Sequence, residues 1–209
     1  MGKPLIAHTI ETALKCDLID TVVVSTDSEV IAETAKQYGA EVPFLRPPEF
    51  ATDFVPKFPA IKHAVHFMED LNRKKYDIIV DLDPTSPLRL VEDINACVRL
   101  LMEEKTEAVI TGCEAYKNPY FNMVELDDSG YTRLSKSTGK PIYRRQDAPE
   151  VYAMNASIYV MWRDLFMEKM IFLTDKTRIY IMPEERSVDI DRELDFKFVE
   201  FIMKEKKGQ

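Results

Sequence analysis

Asp77-Ile78-Ile79-Val80-Asp81-Leu82, followed at once by Asp83-Pro84-Thr85-Ser86-Pro87-Leu88-Arg89, is the stretch that decides the fold. Its first part is an apolar run of the kind that forms a strand buried on both faces. Two prolines then fix a turn. Residues 92–104 repeat their apolar positions with a helical period, and residues 107–112 form another buried strand. A strand, a turn, a helix and a second strand in this order predict an α/β fold.

The same alternation continues on both sides of this unit. The further predicted elements are helices over residues 5–14, 28–38, 57–73 and 194–206, and strands over residues 21–25, 154–160 and 178–182. Residues 116–146 carry short extended pieces between glycines and prolines, which predicts a small antiparallel arm. We therefore predict one domain over residues 1–209, with a mostly parallel sheet and helices on both faces. Ligands of such sheets bind beyond the carboxyl ends of the strands.

Composition excludes several classes of function. The net charge of -8 argues against a nucleic-acid-binding protein, which needs a basic face. No apolar run is long enough to cross a bilayer and no secretory signal opens the chain, so we expect no membrane partner. Cys16, Cys97 and Cys113 are widely spaced and odd in number, which predicts buried thiols of a cytoplasmic protein.

Asp189 and Asp191 form a carboxylate pair in Ser187-Val188-Asp189-Ile190-Asp191. Residues two apart on an extended backbone point to the same face, so both carboxylates can share one hard cation such as Mg²⁺. The sequence equally allows a strand end followed by a helix, with Asp191 as its N-cap and Glu193 in its first turn. The pair alone does not decide between a metal site and a cap.

Two other polar groups bear on that choice. Residues 84–89 put hydroxyls and Arg89 at a strand end, where a base, sugar or phosphate binds, although an ordinary strand-to-helix loop has the same composition. Residues 143–147, with Arg144 and Arg145, suit a carboxylate or phosphate, and a solvated charged loop is the alternative. Convergence of all three groups would bring together a divalent cation, a polyphosphate and an acidic co-substrate, the components of nucleotidyl transfer.

An ordered set of short motifs extends over nearly the whole chain. The motifs are Ser25-Thr26-Asp27, Leu45-Arg46-Pro47, Pro84-Thr85-Ser86-Pro87-Leu88-Arg89, Arg145-Gln146, Asn155-Ala156-Ser157-Ile158-Tyr159 and Ser187-Val188-Asp189-Ile190-Asp191. Together they resemble the acylneuraminate cytidylyltransferases, also called CMP-sialic acid synthetases. The resemblance implies a Rossmann-like nucleotidyltransferase fold, a homodimer and Mg²⁺ as cofactor. It also implies a reaction that joins CTP to a nine-carbon keto-sugar acid and releases pyrophosphate.

The resemblance further implies roles for individual residues. Asp189 and Asp191 would hold Mg²⁺ against the triphosphate, and either Asp191 or a metal-bound water would take the proton of the sugar's anomeric hydroxyl. Arg145 would bind the sugar carboxylate, and residues of about 116–146 would form an arm that crosses to the partner subunit. The remaining substrate-binding set comprises Arg46 on the nucleotide side, Thr85, Ser86 and Arg89 in the proline-rich turn, and Gln146, Asn155, Tyr159 and Phe172 around the sugar.

The sequence also departs from the family pattern. Asp83 stands where sialic acid enzymes carry glutamine, and Asn122 stands where a lysine contacts sialic acid. A carboxylate accepts hydrogen bonds but cannot donate them, so Asp83 predicts a preference for different sugar substituents, with contact to the metal as the other expectation. Asp83 and residues 118–123 are more similar to the branch that acts on legionaminic acid. The family's first strand and glycine-rich phosphate loop precede Gly2 in its pattern, and we expect this chain to lack both.

Two alternatives accompany this hypothesis. A CMP-Kdo synthetase-like enzyme would use an eight-carbon sugar acid on a related fold, but Arg145-Gln146 and Asn155 favour the nine-carbon substrate. A truncated, non-catalytic homologue would only dimerise and bind sugar, and the expected lack of the phosphate loop favours that reading.

Overall fold

The computed structural model describes residues 2–103 and 105–207, and these build a sheet covered by helices on both faces. The helices are α1 (Leu5–Leu14), α2 (Glu29–Gln37), α3 (Lys57–Asn72), α4 (Val91–Met102), α5 (Arg163–Lys169) and α6 (Glu193–Lys207). The strands are β1 (Ile78–Leu82), β2 (Ala108–Glu114), β3 (Val124–Leu126), β4 (Thr132–Leu134), β5 (Tyr152–Trp162) and β6 (Thr177–Ile181). Glu104, the predicted end of the helix over residues 92–104, lies outside the described residues, as does Met1.

The main sheet has the strand order β1-β5-β2-β6. β2 and β6 are parallel, whereas β5 pairs antiparallel with both β1 and β2. Strands β1, β2 and β6 therefore run in one direction, as predicted, but β5 runs the opposite way between two of them. The α/β class is confirmed, and within the described residues the sheet is mixed, with antiparallel neighbours on both sides of β5.

Each face of the sheet packs against a different set of helices. Val109, Ile158 and Val160 point to one face, where Ile94 and Leu101 of α4 cover them. The intervening residues point to the opposite face and meet α3 and α5; the buried members there are Ile79, Ala108, Ile110, Tyr159, Met161, Phe166 and Phe172. The alternation of side chains along β2 and β5 thus supplies both hydrophobic cores from the same two strands. Cys16 and Cys97 are buried as predicted, and Cys113 is half-buried.

The buried strand predicted over residues 21–25 is wrong for the described residues. Val23 forms a single parallel bridge with Glu41, through a hydrogen bond from Val24 N to Glu41 O of 3.0 Å and one from Glu41 N to Val22 O of 2.8 Å. Val22 and Val24 instead pack beside Ile10 of α1. An apolar run buries its side chains there without a ladder, which periodicity alone cannot distinguish from a strand.

The antiparallel arm predicted over residues 116–146 is confirmed as a hairpin. β3 pairs with β4 in the register Val124 with Leu134 and Leu126 with Thr132, apart from the main sheet. All residues of both strands are exposed, including the apolar ones. None of the helices described between residues 2 and 207 is long and apolar enough to span a bilayer.

Candidate active site

The turn after β1 and the acidic segment before α6 meet beside Asn155 of β5. Ile190 N donates a 3.0 Å hydrogen bond to Thr85 O. The fully buried Ser86 donates from Oγ to Asn155 O at 3.1 Å and lies 3.5 Å from Asp189 Oδ1. Two of the three polar groups singled out in the sequence therefore converge.

Arg89 stabilises this turn through hydrogen bonds of its guanidinium. Arg89 is 2% exposed, and its guanidinium donates from Nε to Ser157 Oγ at 3.1 Å and from Nη2 to the carbonyl of Asp83. Burial lowers the pKa of Arg89 to about 10, although Asp83, Asp81 and Asp189 oppose that shift. Among the described residues its Nη1 has no hydrogen-bond partner. These bonds give Arg89 a structural role in the turn, and its contact with substrate stays a prediction.

A residue that the sequence analysis did not select, Lys57, lies beside this turn. Lys57 opens α3, and its Nζ is 2.8 Å from Asp81 Oδ2 and 3.2 Å from Asp83 Oδ2. The same nitrogen lies over the Tyr159 ring, 3.9 Å from the centroid. Tyr159 in turn stacks on Phe172 with ring centroids 4.5 Å apart. Three predicted substrate residues, Asp83, Tyr159 and Phe172, are thus brought together around a cation.

The charges in this cluster perturb one another. Burial on its own would lower the pKa of Lys57, but Asp81 and Asp83 outweigh it and raise that pKa above its ordinary value, so the ammonium stays protonated. Burial raises the pKa of Asp83, while the Lys57 cation opposes this effect. A cation and carboxylates of this kind, partly desolvated beside aromatic rings, are typical of a binding site for polar ligands.

A buried ion pair anchors the acidic segment to α4. Asp93 is fully buried and accepts two hydrogen bonds from Arg186, from Nε at 3.0 Å and from Nη2 at 2.8 Å. Asp93 also accepts from Leu90 N at 2.9 Å and from the Tyr180 hydroxyl at 3.3 Å. Arg186 precedes Asp189 by three residues, so this pair fixes where the acidic segment begins. This ion pair could not be predicted from the sequence, because its two partners are separated by 93 positions in the chain.

A β-bulge interrupts the pairing of β5 with β2 and positions Asn155. The register passes from Ile110 opposite Tyr159 to Gly112 opposite Met154, which leaves residues 155–158 facing Thr111. Ala156 has a φ of 49°, and a Cβ on Gly112 would lie 2.5 Å from Ala153 O, so glycine is required there. The bulge turns the buried Asn155 towards Met182, with Nδ2 3.3 Å from Sδ.

The other predicted site residues contact different parts of the chain. Arg46 donates from Nε to Ser25 Oγ at 3.1 Å and from Nη2 to Ser25 O. Arg145 and Gln146 lie in an exposed 3₁₀ turn at Arg145–Asp147, where Arg145 donates to Ala115 O at 3.0 Å. Asn122 accepts from Asn118 N at 2.7 Å within the arm. None of the contacts described for residues 2–103 and 105–207 joins these four residues to the Lys57 cluster.

The carboxylate pair suits a cation that is shared with a substrate. Helix α6 begins at Glu193, and it is the Asp195 carboxylate that accepts from Arg192 N, at 2.9 Å, so Asp191 is not the N-cap. Asp191 is exposed and Asp189 half-buried. No group of three or more His, Cys, Asp or Glu in the described parts of the chain could hold a metal ion. A Mg²⁺ ion held by these two carboxylates would complete its shell with water and phosphate oxygens, as it prefers.

Comparison with known proteins identifies the family of this chain. A sequence profile described as Cytidylyltransferase matches residues 1–179. The chain belongs to the cytidylyltransferase family.

Named relatives of this cytidylyltransferase cover most of its length. It is 38% identical over 205 residues to the post-translational flagellin modification protein B of Campylobacter coli, covering 98% of this chain and 86% of the relative. It is also 38% identical over 199 residues to the CMP-N,N'-diacetyllegionaminic acid synthase of Campylobacter jejuni, covering 95% of this chain and 83% of the relative.

The fold is also similar to that of solved structures. A CMP:2-keto-3-deoxy-manno-octonic acid synthetase complexed with CTP superposes with a TM-score of 0.67 at 16% identity, covering 99% of this chain and 90% of that one. At that identity the similarity extends to the fold alone, which is the predicted Rossmann-like nucleotidyltransferase architecture.

Proposed function

We propose that this cytidylyltransferase joins CTP to a nine-carbon nonulosonic acid of the legionaminic type, giving a CMP-sugar and pyrophosphate. The observation that carries the proposal is the convergence of the turn at Thr85 and Ser86 with the Asp189 segment, beside the cluster of Lys57, Asp83 and Tyr159. The Campylobacter jejuni relative, named as a CMP-N,N'-diacetyllegionaminic acid synthase, supports the choice of sugar acid.

In the proposed reaction the protein mainly positions its reactants. Asp189 and Asp191 would hold Mg²⁺, which supplies neutralisation of the triphosphate charge. Tyr159, Phe172 and Asp83 would orient the sugar acid so that its anomeric hydroxyl faces the α-phosphorus of CTP. A new P–O bond forms to that hydroxyl oxygen as the bond to pyrophosphate breaks. The hydroxyl proton passes either to the exposed Asp191 or to water.

The proposal includes a homodimer built by the arm. The apolar side chains Val124, Leu126 and Leu134 of the hairpin are exposed, and so is Tyr131, which precedes β4. A contiguous exposed apolar group of this kind fits a protein interface. A second copy covering it would bring Arg145, Gln146 and Asn122 of one subunit to the sugar pocket of the other. Since CTP is made inside the cell, the reaction would take place in the cytoplasm.

Pyrophosphate release tests the proposed function. The purified protein should release pyrophosphate from CTP and Mg²⁺ with N,N'-diacetyllegionaminic acid, and less efficiently with N-acetylneuraminic acid or Kdo. UTP in place of CTP is the matched control for the nucleotide. Absence of release with every sugar acid would overturn the proposal in favour of a non-catalytic homologue, and preference for Kdo would overturn the choice of a nine-carbon substrate.

A further inference from the structure

Lys57 contacts the Asp83 carboxylate, which the proposed function places beside the sugar acid. The reaction proposed above requires no role for Lys57. We propose that Lys57 is a positioning residue that sets the choice of sugar acid, by fixing the Asp83 carboxylate so that one of its oxygens is presented to an N–H or O–H donor on the sugar. This inference rests on the proposed function and extends it to the substituent that the pocket selects.

The positive charge of the ammonium already has partners within the protein, namely an ion pair with Asp81 and hydrogen bonds to Asp83. An ammonium has three N–H donors. Asp81 Oδ2 lies at 2.8 Å and Asp83 Oδ2 at 3.2 Å, and the nitrogen sits against the face of the Tyr159 ring and 5.1 Å from the Phe172 centroid. A direct bond to the carboxylate of the substrate would cost one of these contacts. Lys57 therefore acts through its partners.

The two oxygens of Asp83 differ in their distance from Lys57. Oδ2 lies 3.2 Å from Nζ and Oδ1 lies 3.5 Å from it. The Asp83 side chain is 28% exposed, so the more loosely held Oδ1 has room to accept a hydrogen bond from a ligand. An acylated amine on the sugar is a donor of this kind. The pair would therefore favour acylamino sugar acids over those that carry only an acceptor at that position.

The charge balance of the pocket points in the same direction. Asp81 and Asp83 face Lys57 from the end of β1, and Tyr159 faces it from β5. The positive charge of the buried Arg89 also acts on Asp83, and the negative charge of Asp189 acts on Tyr159. Without Lys57, the Asp81 and Asp83 carboxylates would repel an anionic sugar acid. The lysine keeps both in place and reduces this repulsion.

A set of matched variants tests the inference. Lys57→Met should raise the KM for N,N'-diacetyllegionaminic acid at least tenfold while the KM for CTP stays within twofold, and Lys57→Arg should restore the sugar KM to within threefold of wild type. Lys62→Met, which removes another α3 lysine that donates to a carbonyl, Met167 O, is the control and should change neither KM more than twofold. If Lys57→Met lowers the Tm by more than about 10 °C, Lys57→Gln replaces it.

The double variant separates a positioning role from an independent one. If Lys57 acts through Asp83, Lys57→Met combined with Asp83→Asn should have the same sugar KM as Asp83→Asn alone, within twofold. Effects that multiply in the double variant, or an unchanged sugar KM in Lys57→Met, would overturn the inference. Both of those outcomes require wild-type turnover, so they are distinct from a failure of the proposed function, in which the wild type releases no pyrophosphate.

Discussion

Replacing Asp93 by asparagine should destabilise the protein by about 3 kcal/mol, because it breaks the buried ion pair that begins the acidic segment. Asp93 is fully buried and accepts hydrogen bonds from Nε and Nη2 of Arg186, from Leu90 N and from the Tyr180 hydroxyl. Asparagine keeps the shape and one acceptor oxygen, but its amide nitrogen meets donors and the negative charge is lost. Arg186 is then left without its carboxylate.

The magnitude of this destabilisation depends on how far water can replace the Asp93 carboxylate around Arg186. Breaking a buried ion pair by removing one partner costs about 3–5 kcal/mol. The Arg186 side chain is 19% exposed, so water can replace part of the lost interaction, and the lower end of that range applies. For a chain of this size, about 3 kcal/mol corresponds to a fall in Tm of roughly 6–12 °C.

Urea unfolding followed by circular dichroism at pH 7 measures this loss as a shift in midpoint with an unchanged slope. Asp164→Asn is the matched control, since Asp164 pairs with Arg163 but is 89% exposed, and it should change stability by less than about 0.5 kcal/mol. The double variant Asp93→Asn with Arg186→Met should recover part of the loss, because no unpaired guanidinium remains and the asparagine oxygen still accepts from Leu90 N. A free energy of unfolding for Asp93→Asn within 0.5 kcal/mol of wild type would refute the reasoning.

Three further predictions concern other parts of the molecule. Asp189→Asn should reduce turnover at saturating Mg²⁺ by about 100-fold or more without changing the circular dichroism spectrum, and unchanged turnover would reject the metal site. Burial favours the protonated form of Glu69, but hydrogen bonds from Arg163 and the Tyr76 amide outweigh it and hold the pKa of Glu69 below its ordinary value. Glu69→Gln should therefore cost about 1–3 kcal/mol at pH 7, a difference that shrinks as the pH falls from about 4.5 through the lowered pKa; a gap that widened in acid would contradict this sign. Leu126→Glu on the exposed hairpin should convert the proposed dimer to a monomer by light scattering, and a wild type that is already monomeric at micromolar concentration would count against the interface.

Elements with long, uniform patterns could be predicted from the sequence. The unit of β1, α4 and β2 follows from two apolar runs around a helical period, and the arm follows from its glycines and prolines. The direction of β5 could not be predicted, because a strand buried on both faces has the same composition whichever way it runs. The strand predicted over residues 21–25 is wrong for a related reason, since Val22 and Val24 pack against the core without a ladder of strand hydrogen bonds.

The candidate site divides along similar lines. Motifs whose residues are adjacent in sequence, such as Thr85-Ser86 and Asp189 to Asp191, could be singled out from residue type and spacing. Lys57 could not, because a lysine at the start of a helix ordinarily faces solvent, and its partner Asp83 is 26 residues away. Contacts of this range depend on how α3 crosses the end of β1, which no local pattern encodes.

The bulge in β5 also determines which face of the sheet the side chains of residues 152–154 occupy. Ile158–Trp162 are held between β1 and β2, so their facing is fixed from both neighbours, whereas residues 152–154 pair with β2 alone. The pairing register of β5 with β2 differs by an odd number of residues between the two halves of β5. Each single-residue change of register exchanges the two faces of a strand. Deleting Ala156 would leave the central half in place and exchange the two faces of residues 152–154, where the chain returns from the arm. The length of this short connection, more than the identity of its side chains, thus sets which face of the sheet each of residues 152–154 presents.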